Sequence, residues 1–266
     1  MPKPKASPDR TPSPVLTTLR QQIQTLDGSQ GRAGNLAFGL PEIDRRLPGG
    51  GLAMGALHEV SGDARGAVDG AAAALFAAGI AARTTGQVLW CVTRNDLFAP
   101  GLAQAGLTPE RLIYVEAGDE KSVLACCEEA LRHRGLGAVV GEVSRLSLTS
   151  SRRLQLAAEG HPVLSLIVRR WGREQDAVAF GQPTAAVTRW RVSPLPSAPL
   201  PVPGLGVGLG RARWRLELLR CKGGDPAVFD VEACDAKGRL ALAAPVVHRP
   251  LAVSDRAEHG HVRIAS

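Results

Sequence analysis

Val60-Ser61-Gly62-Asp63-Ala64-Arg65-Gly66-Ala67-Val68-Asp69 runs from an apolar strand through a Gly-rich turn into a helical pattern. In that setting backbone N–H groups cradle phosphate. The working form ends in Gly-Lys-Ser/Thr, where the lysine reaches the β- and γ-phosphates and the hydroxyl holds magnesium. At the matching places this chain has Ala67-Val68-Asp69. The lysine is missing and a carboxylate stands where phosphate would sit, so like charges would repel at short range. Gly62 and Gly66 survive, and Arg65 is the one cation in the turn. The turn is read as a degenerate phosphate site with no catalytic residues, no cofactor and no metal.

The second constellation is cationic and aromatic. The chain of 266 residues carries a formal net charge of +7. Residues 1–151 hold 15 bases and 15 acids, and residues 221–266 hold 6 of each. Residues 152–220 hold 11 Arg against 4 acids, so the whole excess lies there. Three Arg-Trp groups fall inside it: Arg169-Arg170-Trp171-x-Arg173, Arg189-Trp190-Arg191 and Arg211-x-Arg213-Trp214-Arg215. Arg pairs with phosphate, and Trp offers a face to bases or cations. The same residue types make hot spots between proteins. A third reading needs no ligand: period-two strands turn Arg outward and Trp into the core. These arginines, with Trp171, are the candidate surface for a partner or for DNA. An aromatic share of 4% argues against an extended base-stacking platform.

Weaker candidates remain. Thr93-Arg94-Asn95-Asp96 follows a strand, at the end where α/β folds place ligands. His58-Glu59 lies on a buried-looking strand, which suits a satisfied core histidine. Cys91, Cys126, Cys127, Cys221 and Cys234 form an odd set without C-x-x-C spacing, which fits reduced thiols in a cytosol better than a disulfide framework. Cys126 and Cys127 read as filling of a helix face. No apolar run reaches the roughly 18–20 residues that span a bilayer, and the start of the chain lacks a secretory apolar region.

These residues must be held by alternating elements. Strands are expected at Leu57–Val60, Gln87–Val92, Leu112–Val115, from Ala138, and at Val163–Val168. Helices are expected at Ala71–Arg83, about Pro100–Ala105, Lys121–Arg134 and Ser151–Glu159. Apolar strands alternating with helices imply an α/β fold with a parallel sheet covered on both faces. Val187–Val192 and Trp214–Leu218 alternate with period two and read as antiparallel or edge strands. The Pro- and Gly-dense stretch Ser193–Gly210 reads as a loop. Ahead of this lies an amphipathic helix bearing Val15, Leu16, Leu19, Ile23 and Leu26. The expected division is 1–35 for tail and helix, 36–245 for the main domain and 246–266 for a C-terminal tail.

Phe38-Gly39-Leu40-Pro41-Glu42-Ile43-Asp44, Leu47-Pro48-Gly49-Gly50-Gly51-Leu52-Ala53-Met54-Gly55 and Leu57-His58-Glu59-Val60-Ser61-Gly62 together resemble the entry into the phosphate loop of RecA-type ATPases. The chain resembles the ImuA family of RecA-like proteins more closely, and Ala185-Ala186-x-x-Arg189-Trp190-Arg191 is similar to that family too. The resemblance covers about Phe38 to Leu240. It implies a RecA-like core, with a mostly parallel sheet flanked by helices and antiparallel strands toward the C-terminus. It places the catalytic glutamate near Asn95, the Walker B carboxylate strand on Ala138–Glu142 and the sensor pair on Val168-Arg169, so the ATPase parts all depart from pattern. What it implies is a cytoplasmic, non-catalytic accessory of damage-inducible, error-prone translesion synthesis. The implied partners are a Y-family-polymerase-like protein (ImuB) and an error-prone DnaE-type polymerase, with RecA and single-stranded DNA as further candidates. The alternatives are a divergent DNA-stimulated ATPase using Arg65 and Glu142, and a protein that binds single-stranded DNA directly.

Overall fold

The structure, a computed structural model, describes residues 34–63, 67–133, 135–170, 180–202 and 206–243. The expected N-terminal helix, Arg65, Gly66, Trp171, Arg173 and the C-terminal tail lie outside the described residues.

The entry segment is built by short-range chemistry. β1 (Asn35–Leu36) pairs with β2 (Leu52–Ala53). Between them α1 (Pro41–Asp44) starts on a proline whose missing N–H costs nothing there. The Asp44 carboxylate accepts from Phe38 N at 2.7 Å and Gly39 N at 2.9 Å, which folds the entry back on itself. Gly51 is required by a close approach: a Cβ there would lie 2.6 Å from the Leu36 backbone.

The alternating elements then follow: β3 (Leu57–Gly62), α2 (Ala67–Ala82), β4 (Gln87–Val92), α3 (Ala99–Gln104), β5 (Leu112–Glu116), α4 (Glu120–Leu131), β6 (Leu136–Val143), α5 (Leu148–Ala158) and β7 (Leu164–Arg169). Polar caps start two of the helices. Asp119 accepts from Ser122 N ahead of α4, and Ser147 accepts from Ser150 N ahead of α5. After β7 come β8 (Thr188–Leu195), β9 (Pro199–Val202), β10 (Gly206–Leu209), β11 (Arg213–Cys221), β12 (Ala227–Glu232) and β13 (Ala241–Leu242).

Nine strands form one sheet in the order β13-β12-β11-β8-β3-β7-β6-β4-β5. Pairings from β8 through β5 are parallel, and those from β8 through β13 are antiparallel. The sheet has a core on each face. One is built on α2, with Val60, Phe76, Trp90, Trp190 and Trp214. The other lies under α4 and α5, with Leu57, Cys91, Val139, Leu154 and Ile167. Phe76 stands 5.9 Å from Trp190 and 6.4 Å from Trp214, centroid to centroid, so two of the Arg-flanked tryptophans are core rings. The period-two reading of these strands therefore holds for Trp.

Two sequence expectations change. The Ser193–Gly210 stretch is not plain loop, because β9 and β10 pair antiparallel within it, apart from the main sheet. β12 and β13 also extend the sheet beyond the last expected strand. β12, Ala227 to Glu232, is a six-residue run that the sequence reading did not assign to a strand.

Candidate functional site

The parallel strands end together along one edge, where open α/β sheets hold ligands. β3 ends at Gly62. A Cβ at this position would lie 2.7 Å from Asp69 O, so Gly62 lets the strand end press against the first turn of α2. In the first turn of α2, Val68 is 68% exposed and Asp69 is partly exposed. Asn95, which the resemblance sets near the place of a catalytic glutamate, accepts from Tyr114 Oη at 3.2 Å.

The edge is occupied by the arginine that directly follows β7. Arg170 Nη1 donates to Glu142 Oε2 at 2.6 Å and to Asp96 Oδ1 at 2.9 Å. Its Nη2 donates to Asp96 Oδ2 at 3.1 Å. Glu142 is turned into place by Trp90, whose Nε1 donates to Oε1 at 2.8 Å. Glu142 is buried, while Arg170 and Asp96 are partly exposed. Burial pulls the Arg170 guanidinium down, but Glu142 and Asp96 outweigh it and the net shift is upward. The guanidinium also lies against α2, 3.6 Å from where a Cβ on Gly70 would be. The cavity left here has a volume of about 60 Å³, lined by Thr93, Arg94, Asp96, Glu120, Glu142 and Arg170 among others. Small-molecule pockets commonly measure roughly 300–1,000 Å³.

Behind this edge lies a second, buried arginine cluster. Arg169 Nη1 donates to Glu59 Oε2 at 3.1 Å with both side chains fully enclosed. Arg169 also donates to Ser144 O through Nε at 3.2 Å and Nη2 at 2.9 Å. Arg189 Nη2 reaches Glu59 Oε1 at 3.4 Å, and Thr184 Oγ1 donates to the same oxygen. Phe180 lies beside both guanidinia, 5.7 Å from that of Arg169 and 5.0 Å from that of Arg189. Burial lowers the Arg169 guanidinium pKa, and Glu59 opposes that shift.

Arg169 and Arg189 do not form the partner or DNA surface that the sequence suggests: both are buried and matched to Glu59. Arg213 is buried too. The exposed members carry carboxylate partners as well. Arg191 lies 3.6 Å from Asp63 and 3.5 Å from Glu217. Arg211 lies 3.5 Å from Glu232. Arg215 holds Asp230 through Nε at 2.9 Å and Nη2 at 3.1 Å. Most of the partners come from outside residues 152–220, so a charge segregated along the chain is mixed in space. The sequence reading missed Asp96 as the acid facing Glu142, although its place after the β4 strand end was a usable signal.

Among the described residues no group of His, Cys, Asp and Glu is arranged to hold a metal ion, and no helix is long and apolar enough to cross a membrane.

No family model matches the chain. Protein ImuA from Caulobacter vibrioides strain NA1000 / CB15N is 42% identical over 210 residues, covering 76% of this chain and 84% of that protein. Protein ImuA from C. vibrioides strain ATCC 19089 / CIP 103742 / CB 15 matches to the same extent. The crystal structure of the RadB recombinase matches with a TM-score of 0.55 at 16% identity, covering 79% of this chain and 100% of that one, a likeness of fold alone. With its mostly parallel RecA-like sheet and a relative this similar over most of its length, the chain belongs to the ImuA family.

Proposed function

We propose that this protein is a non-catalytic RecA-like accessory of damage-inducible, error-prone translesion DNA synthesis, acting in the cytoplasm through contacts with other proteins. The single observation that carries the non-catalytic reading is Arg170 seated between Asp96 and Glu142. In a phosphoryl-transfer site, carboxylates at strand ends hold magnesium or position water. Here a tethered guanidinium takes both. Val68 and Asp69 in the lysine and hydroxyl places support the same reading. Family membership supports the repair context and the partners, a Y-family-polymerase-like protein (ImuB) and an error-prone DnaE-type polymerase.

Titration calorimetry with millimolar ATP and magnesium tests the reading, and no saturable heat is expected. A stoichiometric isotherm, or DNA-stimulated phosphate release that disappears in Arg65→Ala, would establish the divergent ATPase instead. Co-purification with the polymerase-like partner tests the second half, and a protein that fails to bind it at micromolar concentration would contradict the accessory role.

A further inference from the structure

Three of the five cysteines converge between β4 and α4. Cys91 lies within β4, with Gly141 of β6 and Val115 of β5 as its Cα partners. Gly141 has no side chain, and Cys127 from α4 fills the space above it. A Cβ on Gly141 would lie 2.7 Å from Cys127 Sγ. Cys91 and Cys127 are buried in one core cluster, and Cys126 packs against it from a partly exposed position.

The Cys127 and Cys126 thiols neighbour the Cys91 sulfur and can act on it as donors. Two such donors favour the thiolate over the opposing effect of burial, and bring Cys91 down to about 7. Burial comes first in raising Cys126 to about 11, with Cys91 adding to it. The neighbouring Cys91 comes first in raising Cys127 well above the usual thiol value. One sulfur is thus disposed to ionise beside two that stay protonated. That is the starting arrangement for thiol–disulfide chemistry.

We propose that Cys91, Cys126 and Cys127 form a peroxide-responsive thiol site that closes to a disulfide between Cys91 on β4 and Cys127 on α4. The Cys91 thiolate attacks one oxygen of hydrogen peroxide. The S–O bond forms, the O–O bond breaks, and the departing hydroxide takes a proton and leaves as water. The Cys127 sulfur then attacks the sulfenic sulfur of Cys91. The S–S bond forms, the S–O bond breaks, and the hydroxyl leaves as a second water with the Cys127 proton. Two electrons pass from the sulfurs to the peroxide. Cys126 is the partly exposed member of the group, beside two buried sulfurs.

The bond would tie together two elements that frame the Arg170 edge. β4 leads into the turn that carries Asp96. α4 begins at Glu120, whose Oε1 accepts from Ser144 N at 2.6 Å. This inference is independent of the proposed function.

The full chain, reduced, desalted and treated with hydrogen peroxide, would be digested with trypsin without reduction. Peptide 84–94, holding Cys91, should be found joined to peptide 122–132, holding Cys126 and Cys127, and dithiothreitol should release it. Cys126→Ala should keep the link, whereas Cys127→Ala should reduce it at least tenfold. The wild-type result stands even if a variant folds poorly. The proposal is overturned if folded wild-type protein shows no link at peroxide levels that oxidise Cys221 or Cys234. It is equally overturned if the link persists in Cys127→Ala.

Discussion

Arg170 closes on Asp96 through two parallel hydrogen bonds, Nη1 to Oδ1 at 2.9 Å and Nη2 to Oδ2 at 3.1 Å. A bidentate pair of this kind fixes orientation as well as charge. It also joins the ends of two strands that are not neighbours, because β6 lies between β4 and β7. Glu142 on β6 takes the same guanidinium at 2.6 Å, so one cation holds three strand ends.

Arg170→Met should therefore leave Glu142 without a cation and Asp96 with only the exposed Arg94, 3.4 Å away. Stability should fall by about 2–3 kcal/mol, less than for a fully buried pair because the guanidinium is partly exposed. Millimolar Mn²⁺ should restore part of the lost thermal stability in the variant and leave the wild type unchanged. Thermal scans with and without the ion decide this. A variant indifferent to Mn²⁺ would mean that Arg170 does not stand in a cation's place.

The buried pair behind that edge predicts an asymmetry. Glu59 serves both Arg169 and Arg189, so Glu59→Ala strands two guanidinia in the core, whereas Arg169→Ala leaves Glu59 with Arg189. Breaking a buried pair typically costs about 3–5 kcal/mol. Urea unfolding should place Glu59→Ala at or beyond that range and Arg169→Ala clearly below it. Equal losses would show that Arg189, at 3.4 Å, contributes nothing to holding Glu59.

Arg189, Trp190 and Arg191 show how far the sequence reaches. Their alternation correctly turns Trp190 into the core. It treats the two arginines alike, because both fall on the opposite face. The structure separates them: Phe180 and Thr184 cover Arg189, while Arg191 stands beyond that cover. What lies over a face is decided by distant chain, which periodicity does not record. Charge behaves the same way. Arg169 finds Glu59 across 110 residues and Arg170 finds Asp96 across 74, so a segmental charge count could not see either pairing. The alternating strands and helices were legible because each carries its own local hydrophobic pattern. Asp96 was not legible as part of a constellation, since only the sheet order brings it to Glu142 and Arg170.

The pairing also predicts how the protein meets single-stranded DNA. Six to eight free arginines on phosphates would give a slope of roughly −4 to −6 in log affinity against log salt. With Arg169 and Arg189 buried and Arg191, Arg211 and Arg215 beside carboxylates, the slope should be shallower than about −2. Fluorescence anisotropy from 50 to 200 mM salt measures it. A steep slope that falls on replacing Arg191, Arg211 and Arg215 would return DNA binding to this region.

His58 sets the response to acid. Its Nε2 lies 2.9 Å from Ala53 O, which can only accept, so that nitrogen carries the hydrogen. Nδ1 then accepts from the Thr188 hydroxyl at 2.8 Å, and Thr188 Oγ1 in turn accepts from Trp190 Nε1 at 2.9 Å. A proton on Nδ1 would face a buried hydroxyl that already donates to that nitrogen. Burial is the main cause that lowers this histidine to about 4 from 6.5, and the bond to Ala53 only partly opposes it. The unfolded chain therefore takes up a proton at higher pH than the folded one. The histidine's contribution is complete above pH 6.5, shrinks as pH falls toward 4, and amounts to about 2 kcal/mol lost at pH 5. His58→Gln can keep both hydrogen bonds without titrating. Its stability should change less than the wild type's between pH 7.5 and pH 5, by about that amount, in urea unfolding at the two pH values. Parallel losses in both proteins would assign the acid sensitivity to other groups.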